Sequence, residues 1–137
     1  MNPTIKNILA VVAGIVIGGV VNMGIIMLSS FVIPPPEGVD VTNVESLKSN
    51  MHLFEAKHFI FPFLAHALGT LVGAMVTYKI AASYNMRLAL LIGAFFLIGG
   101  IMNVMQLPSP MWFNVLDLVG AYIPMAWLGA RIMQPKG

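Results

Sequence analysis

Four apolar runs, each ended by proline or by a short polar turn, set the pattern of this chain. They are Ile8–Ile33, Phe59–Ala82, Leu88–Leu107 and Met111–Met133. Each holds the roughly 20 residues that a helix needs to cross a bilayer core. The pattern therefore predicts an all-α fold, an integral membrane four-helix bundle in a single domain spanning residues 1–137. The breaks have physical causes. Pro34 lacks a donor and disfavours helix at the residue before it. Ser83-Tyr84-Asn85-Met86-Arg87 and Pro108-Ser109-Pro110 make two short turns. Pro62 falls in the first turn of the second span, where a missing N–H costs little. Pro124 lies inside the fourth and should kink it, with Gly120 one turn earlier leaving room.

Between the first two spans, residues 34–58 change character to Pro34-Pro35-Pro36 followed by Glu37, Asp40 and Glu45. Three prolines form a stiff extended spacer of roughly 9 Å. Thr42-Asn43-Val44-Glu45 fits a capping box, in which threonine and glutamate each satisfy a free backbone N–H. Val44, Leu47, Met51 and Phe54 then share one stripe at helical spacing. This predicts a short amphipathic helix in the first extracytoplasmic loop, lying on the surface or across the mouth of the bundle.

Composition agrees: 58% of residues are hydrophobic and 9% charged, where a soluble domain carries about 25% charged. Lys6 followed by an apolar run could open a signal peptide. That run is too long for a signal core of about 7–15 residues, so a retained helix is expected. A sequence pI near 9.2 would suggest nucleic acid in a soluble protein, but the net charge is only +2. The bases gather at span ends: Lys6, Lys79, Arg87, Arg131 and Lys136 on one side, Lys48 and Lys57 on the other. That five-to-two split predicts cytoplasmic termini and an outer loop, and opposes dual insertion. Expected partners are the lipid bilayer and a second copy or another membrane protein, with no nucleic acid. There is no cysteine, which excludes disulfides and thiolate chemistry. No motif specifies a cofactor.

The first and third spans share a phrase, Ile17-Gly18-Gly19-Val20-Val21-Asn22 against Ile98-Gly99-Gly100-Ile101-Met102-Asn103. Lys6 precedes Asn22 by sixteen residues and Arg87 precedes Asn103 by sixteen. His66 and Asp117 lie thirteen and fourteen residues before Lys79 and Arg131. Two parallel hairpins produced by duplication would give this echo; so would chance recurrence of glycine and aliphatic residues. Either way, all four polar residues fall on the order of 20–24 Å from the cytoplasmic ends, on the loop's side.

Asp117 is the most informative of them. A carboxylate within a span costs on the order of 3 kcal/mol and must be paired, protonated or facing a wet cavity. His66 is its expected partner by depth. With Asn22 and Asn103 these residues form a candidate binding cluster, or alternatively polar glue between helices. Ala10, Gly14, Gly18 and Asn22 on the first helix, and Gly69, Gly73 and Thr77 on the second, mark close-packing faces. His52, Glu55 and His58 could be drawn as metal ligands, but exposed loop histidines without a firm second shell are weak candidates, and no metal is assigned. No nucleophile–base–acid arrangement is present, so no catalytic residue is assigned.

"PPPEGVD", "HALGTLVGA", "GGIMNVMQLPSPMWF" and a terminal "LGAR" resemble a group of small uncharacterised bacterial four-span membrane proteins. The resemblance covers nearly the whole chain and implies a bacterial inner-membrane protein, and it brings no catalytic residue with it. Small multidrug exporters, which need a glutamate in the first span, fit poorly. Fluoride channels favour dual topology, which the charge split opposes. The leading expectation is a non-enzymatic binding or accessory component. A small transporter or channel built on His66, Asp117, Asn103 and Asn22 comes second, and an intramembrane enzyme third.

Overall fold

The computed structural model describes residues 1–136, and among them the secondary structure is helical. In chain order the helices are α1 (Pro3–Val32), α2 (Val44–Asn50), α3 (Ile60–Ile80), α4 (Asn85–Gln106), α5 (Met111–Gly120) and α6 (Ile123–Met133). Two 3-10 turns, Met51–Leu53 and Ala56–Phe59, join α2 to α3. Four segments are long and apolar enough to cross a membrane: α1, Ala56–Ile80, α4, and α5 with α6. The four-span bundle is therefore present, with differences at its boundaries.

The first span starts five residues earlier than its apolar run suggests. Asn2 accepts from the Thr4 amide at 2.7 Å, and Pro3 takes the first helical position, where it needs no donor. At the other end, Pro34 follows immediately and the helix stops. The α3–α4 turn is clamped from both sides. Asn85 donates to the Tyr78 and Ala81 carbonyls, closing the end of α3. Asn7 accepts from the amides of Ala82 and Ser83, tying α1 to the same turn.

The fourth span is broken rather than kinked. Pro124 sits at the start of α6, and the chain leaves helical geometry at Ala121–Tyr122. The break turns Tyr122 into the bundle, where it is 3% exposed. It packs there with Ala67 and Ala121, against Phe63 and Phe96.

The predicted close-packing faces do meet. A Cβ built on Gly73 would lie 2.7 Å from the Gly14 carbonyl oxygen, and one on Gly18 the same distance from that of Gly69. Only hydrogen side chains permit such backbone approach, and in lipid this packing substitutes for a hydrophobic drive between helices. The Thr77 hydroxyl donates across the seam to the Ala10 carbonyl at 2.9 Å. Small residues also bring α6 onto its neighbours. Gly129 faces the Leu71 carbonyl, Gly93 faces Ala126, and Ala74, Ala89, Ala126 and Ala130 form a buried core. The end of the bundle remote from the loop is thus filled.

The loop helix exists, with different caps from those expected. Thr42 does not cap α2: its hydroxyl and amide both donate to Asp40 Oδ1. Asn43 is the cap instead, accepting from the Ser46 amide at 3.0 Å. The reason is competition, since the Asp40 carboxylate is a stronger acceptor for the Thr42 hydroxyl than any nearby carbonyl. Those two bonds, the hydroxyl's first, hold the Asp40 carboxyl below its usual pKa. Gly38, at φ +84, makes the turn out of the prolines, a conformation costly to a side chain. After α2 the loop folds down onto α5. Phe59 packs on Phe113 at 4.6 Å between ring centroids and on Trp112 at 5.6 Å, with Met51 buried beside them.

Candidate functional site

His66 projects from the second turn of α3 and Asp117 from the second turn of α5. They meet: His66 Nδ1 lies 2.7 Å from Asp117 Oδ1. The aspartate is buried and the histidine side chain remains 19% exposed. A third residue, absent from the expected cluster, completes the arrangement. The Tyr122 hydroxyl donates to Asp117 Oδ2 at 3.1 Å. Its ring stacks on His66 with centroids 5.8 Å apart.

Each carboxylate oxygen thus has its own partner, which offsets the cost of placing the acid within a span. With Nδ1 engaged by Asp117, the polar atom the ring still offers is Nε2.

Tyr122 reaches Asp117 only because the helix is broken between them. In a continuous helix, residues five apart lie about 140° around the axis from each other and do not touch. The aligned glycines of the phrase shared by the first and third spans differ in their surroundings: Gly18 and Gly100 are packed, while their counterparts Gly99 and Gly19 meet nothing within 4 Å. A Cβ on Gly100 would lie 2.7 Å from the Tyr122 hydroxyl and 2.8 Å from its ring, so the glycine makes room for the tyrosine. Gly69 does the same for Asn22, whose Cβ would stand 3.1 Å from a Cβ built there. The packing glycines and the polar residues are one construction.

All four expected residues border the same space. His66, Asp117, Asn22 and Asn103 line a cavity of about 360 Å³ beneath the loop. Its roof includes Val44, Leu47, Met51 and Phe54, the stripe read from the sequence. Its floor and sides come from α1, α3, α4 and α5. A second space of about 330 Å³ lies between α1, α3 and α4 and shares Asn22, His66 and Asn103 with the first. Asn22 is half-buried and Asn103 exposed. Hydrogen bonding within the site runs among His66, Asp117 and Tyr122, leaving the two asparagines outside that set. Thr70 lines the second space, is 1% exposed, and has a hydroxyl with no hydrogen-bond partner.

The loop histidines act separately. His58 Nδ1 accepts from the Glu55 amide at 2.8 Å, and Glu55 pairs with Lys57 at 3.6 Å. His58 is therefore committed to shaping the 3-10 turn that enters α3. Ser109 and Asn114 bond one another across the α4–α5 turn and border the first cavity.

An aspartate orienting a histidine is also found where imidazoles act as bases. Among the described residues the His66 ring hydrogen-bonds to Asp117 and to no serine or threonine hydroxyl. No family model, curated protein or solved structure matches the chain.

Proposed function

We propose that this multi-pass membrane protein is a non-enzymatic binding or accessory component, and that the cavity beneath the loop is where it holds a small molecule. One observation carries the reading. Polar side chains from four helices converge on a space whose lining is otherwise mostly apolar, at a volume of about 360 Å³. Small-molecule sites have this form, a largely apolar cleft with a few placed polar groups, starting at about 300 Å³. Structural glue alone would need His66, Asp117 and Tyr122 but no adjoining space.

The absence of cysteine makes a direct test simple. Asn103→Cys, treated with benzyl methanethiosulfonate, tethers an apolar ring beside the cavity. A group that occupies a native-state cavity stabilises the fold, because the unfolded chain offers it nothing comparable. The benzylated variant should melt higher than the same variant carrying a methylthio group. Met105→Cys, exposed and bordering neither space, should show no such difference. Equal melting temperatures at Asn103 would refute the reading.

The membrane is the bacterial inner membrane in this proposal, with cytoplasmic termini and the loop outside. The five-to-two split of basic residues supports that orientation, and the family resemblance supports the compartment. In intact cells an impermeant thiol reagent should label Ser46→Cys and spare Asn85→Cys; the opposite result reverses the topology.

A further inference from the structure

We propose that the ligand is an uncharged amphiphile with a hydroxyl head, an alcohol or phenol on an apolar tail, and that it enters sideways from the bilayer between α1 and α4. This rests on the binding reading above and adds to it the ligand's chemical class and its route.

The class follows from what the walls offer. No lysine or arginine borders either space, so an anionic head would be desolvated without a counter-charge. Asp117 is the only carboxylate present, and both its oxygens are already bonded. What remains includes His66 Nε2, the amides of Asn22, Asn103 and Gln106, and the buried, unpartnered hydroxyl of Thr70. A hydroxyl head donates one hydrogen bond and accepts others, so it can satisfy the imidazole and still receive a bond from an amide or from Thr70. A carboxylate has no proton to give the amide oxygens. An ammonium has no lone pair for the amide N–H groups.

The route follows from where α1 and α4 part. They touch at Phe96, whose ring would lie 3.0 Å from a Cβ on Gly18. One turn further toward the loop, a Cβ on Gly99 would meet nothing within 4 Å. Asn103 and Met102 are exposed on the same stretch. Both helices are long apolar spans, so a gap between them opens onto lipid rather than water. An amphiphile already dissolved in the membrane reaches the gap without leaving it. The tail then lies along Met23 and Val104, residues that border the outer cavity from α1 and α4.

The test uses the full chain in phosphatidylcholine nanodiscs with a decanol analogue carrying a diazirine in its tail. Photolysis followed by peptide mass spectrometry should place adducts on Met23 and Val104. Decanol should displace the probe at a membrane concentration at least tenfold below that needed with decanoate or decylammonium. Gly99→Trp fills open space in the gap, so it should fold like the parent and reduce the adducts at least fivefold. His66→Phe should abolish the preference for decanol. Should that variant not fold, exposed Asn103→Leu carries the same comparison, with the preference falling severalfold. Adducts spread over the lipid-facing helix surfaces, equal competition by decanoate, or stronger competition by decylammonium would each overturn the proposal. If the benzyl tether at Asn103 stabilises the protein while the charge order comes out otherwise, the binding reading stands and only this ligand class falls. If the tether has no effect, both fall.

Discussion

Replacing Gly73 with alanine tests the seam on which the bundle is built. The added methyl would sit 2.7 Å from the Gly14 carbonyl oxygen, 0.7 Å inside the 3.4 Å at which ordinary contact begins. It would also meet Ile92 at 3.3 Å. The first obstacle is backbone on the opposing helix and cannot rotate away, so α1 and α3 must separate. A gap of about 0.5–1 Å forfeits a quarter to a half of each dispersion contact along the seam. The Thr77–Ala10 hydrogen bond, now 2.9 Å, stretches with it. Overpacking of this kind costs about 1–3 kcal/mol. Against that, alanine is a better helix former than glycine by about 1 kcal/mol. Gly24→Ala supplies the control, because a Cβ there meets nothing within 4 Å and collects the propensity gain alone. The propensity effect cancels between the two variants, leaving a difference of about 1–3 kcal/mol set by the clash. Unfolding by sodium dodecyl sulfate in mixed micelles, followed by circular dichroism, reads it. Gly73→Ala should unfold at a lower detergent fraction than Gly24→Ala. Unfolding at an equal or higher fraction would mean that α1 and α3 do not meet backbone to backbone.

Four further outcomes follow from the site and the loop. Tyr122→Phe removes the donor to Asp117 Oδ2 and should cost about 1.5–3 kcal/mol, as hydrogen bonds to charged groups do; Asp117→Asn, which still hydrogen-bonds, should cost less than Asp117→Leu in the same unfolding assay. Gly100→Ala should destabilise by about 1–3 kcal/mol, and its cost should shrink in a Tyr122→Leu background, because the methyl collides chiefly with the tyrosine. Asp40 titrates below its usual range when folded, so its support of the Thr42 turn is complete above the unfolded carboxyl value of about 3.9. That support is lost as pH falls through the lower folded value; the Thr42 amide resonance should move over that acid window and stay fixed in Asp40→Asn.

Hydrophobic run length and glycine spacing carried much of the fold. Gly14, Gly18, Gly69 and Gly73 repeat every four residues, and that spacing is the geometry of a helix face, so both seam and register could be read directly. The depth of His66 and Asp117 could be read by counting from flanking bases, and the pair meets. Tyr122 could not be found this way. Counting assumes a continuous helix, and there the tyrosine points away from Asp117. The signal was present in Pro124, had the proline been read as a break rather than a kink. The loop cap was missed for a different reason. Thr42 and Asn43 are both good caps, and the choice was made by Asp40, whose carboxylate captured the threonine hydroxyl.

The filled half of the bundle has an electrical consequence. Both spaces lie on the loop's side of the Gly18–Phe96 contact, while beyond it Gly14, Gly73, Thr77 and Ile92 are packed shut. A membrane voltage drops across insulating material, so wherever electrolyte enters the cavity the field is concentrated in the sealed half. Moving one charge through the whole field costs about 2.3 kcal/mol per 100 mV. A cation entering the cavity from the loop's side crosses little of that field, and one arriving from the opposite side would cross nearly all of it. The cavity therefore takes its electrical reference from the compartment that the loop faces, and a charged solute would enter it from that side almost indifferently to membrane potential.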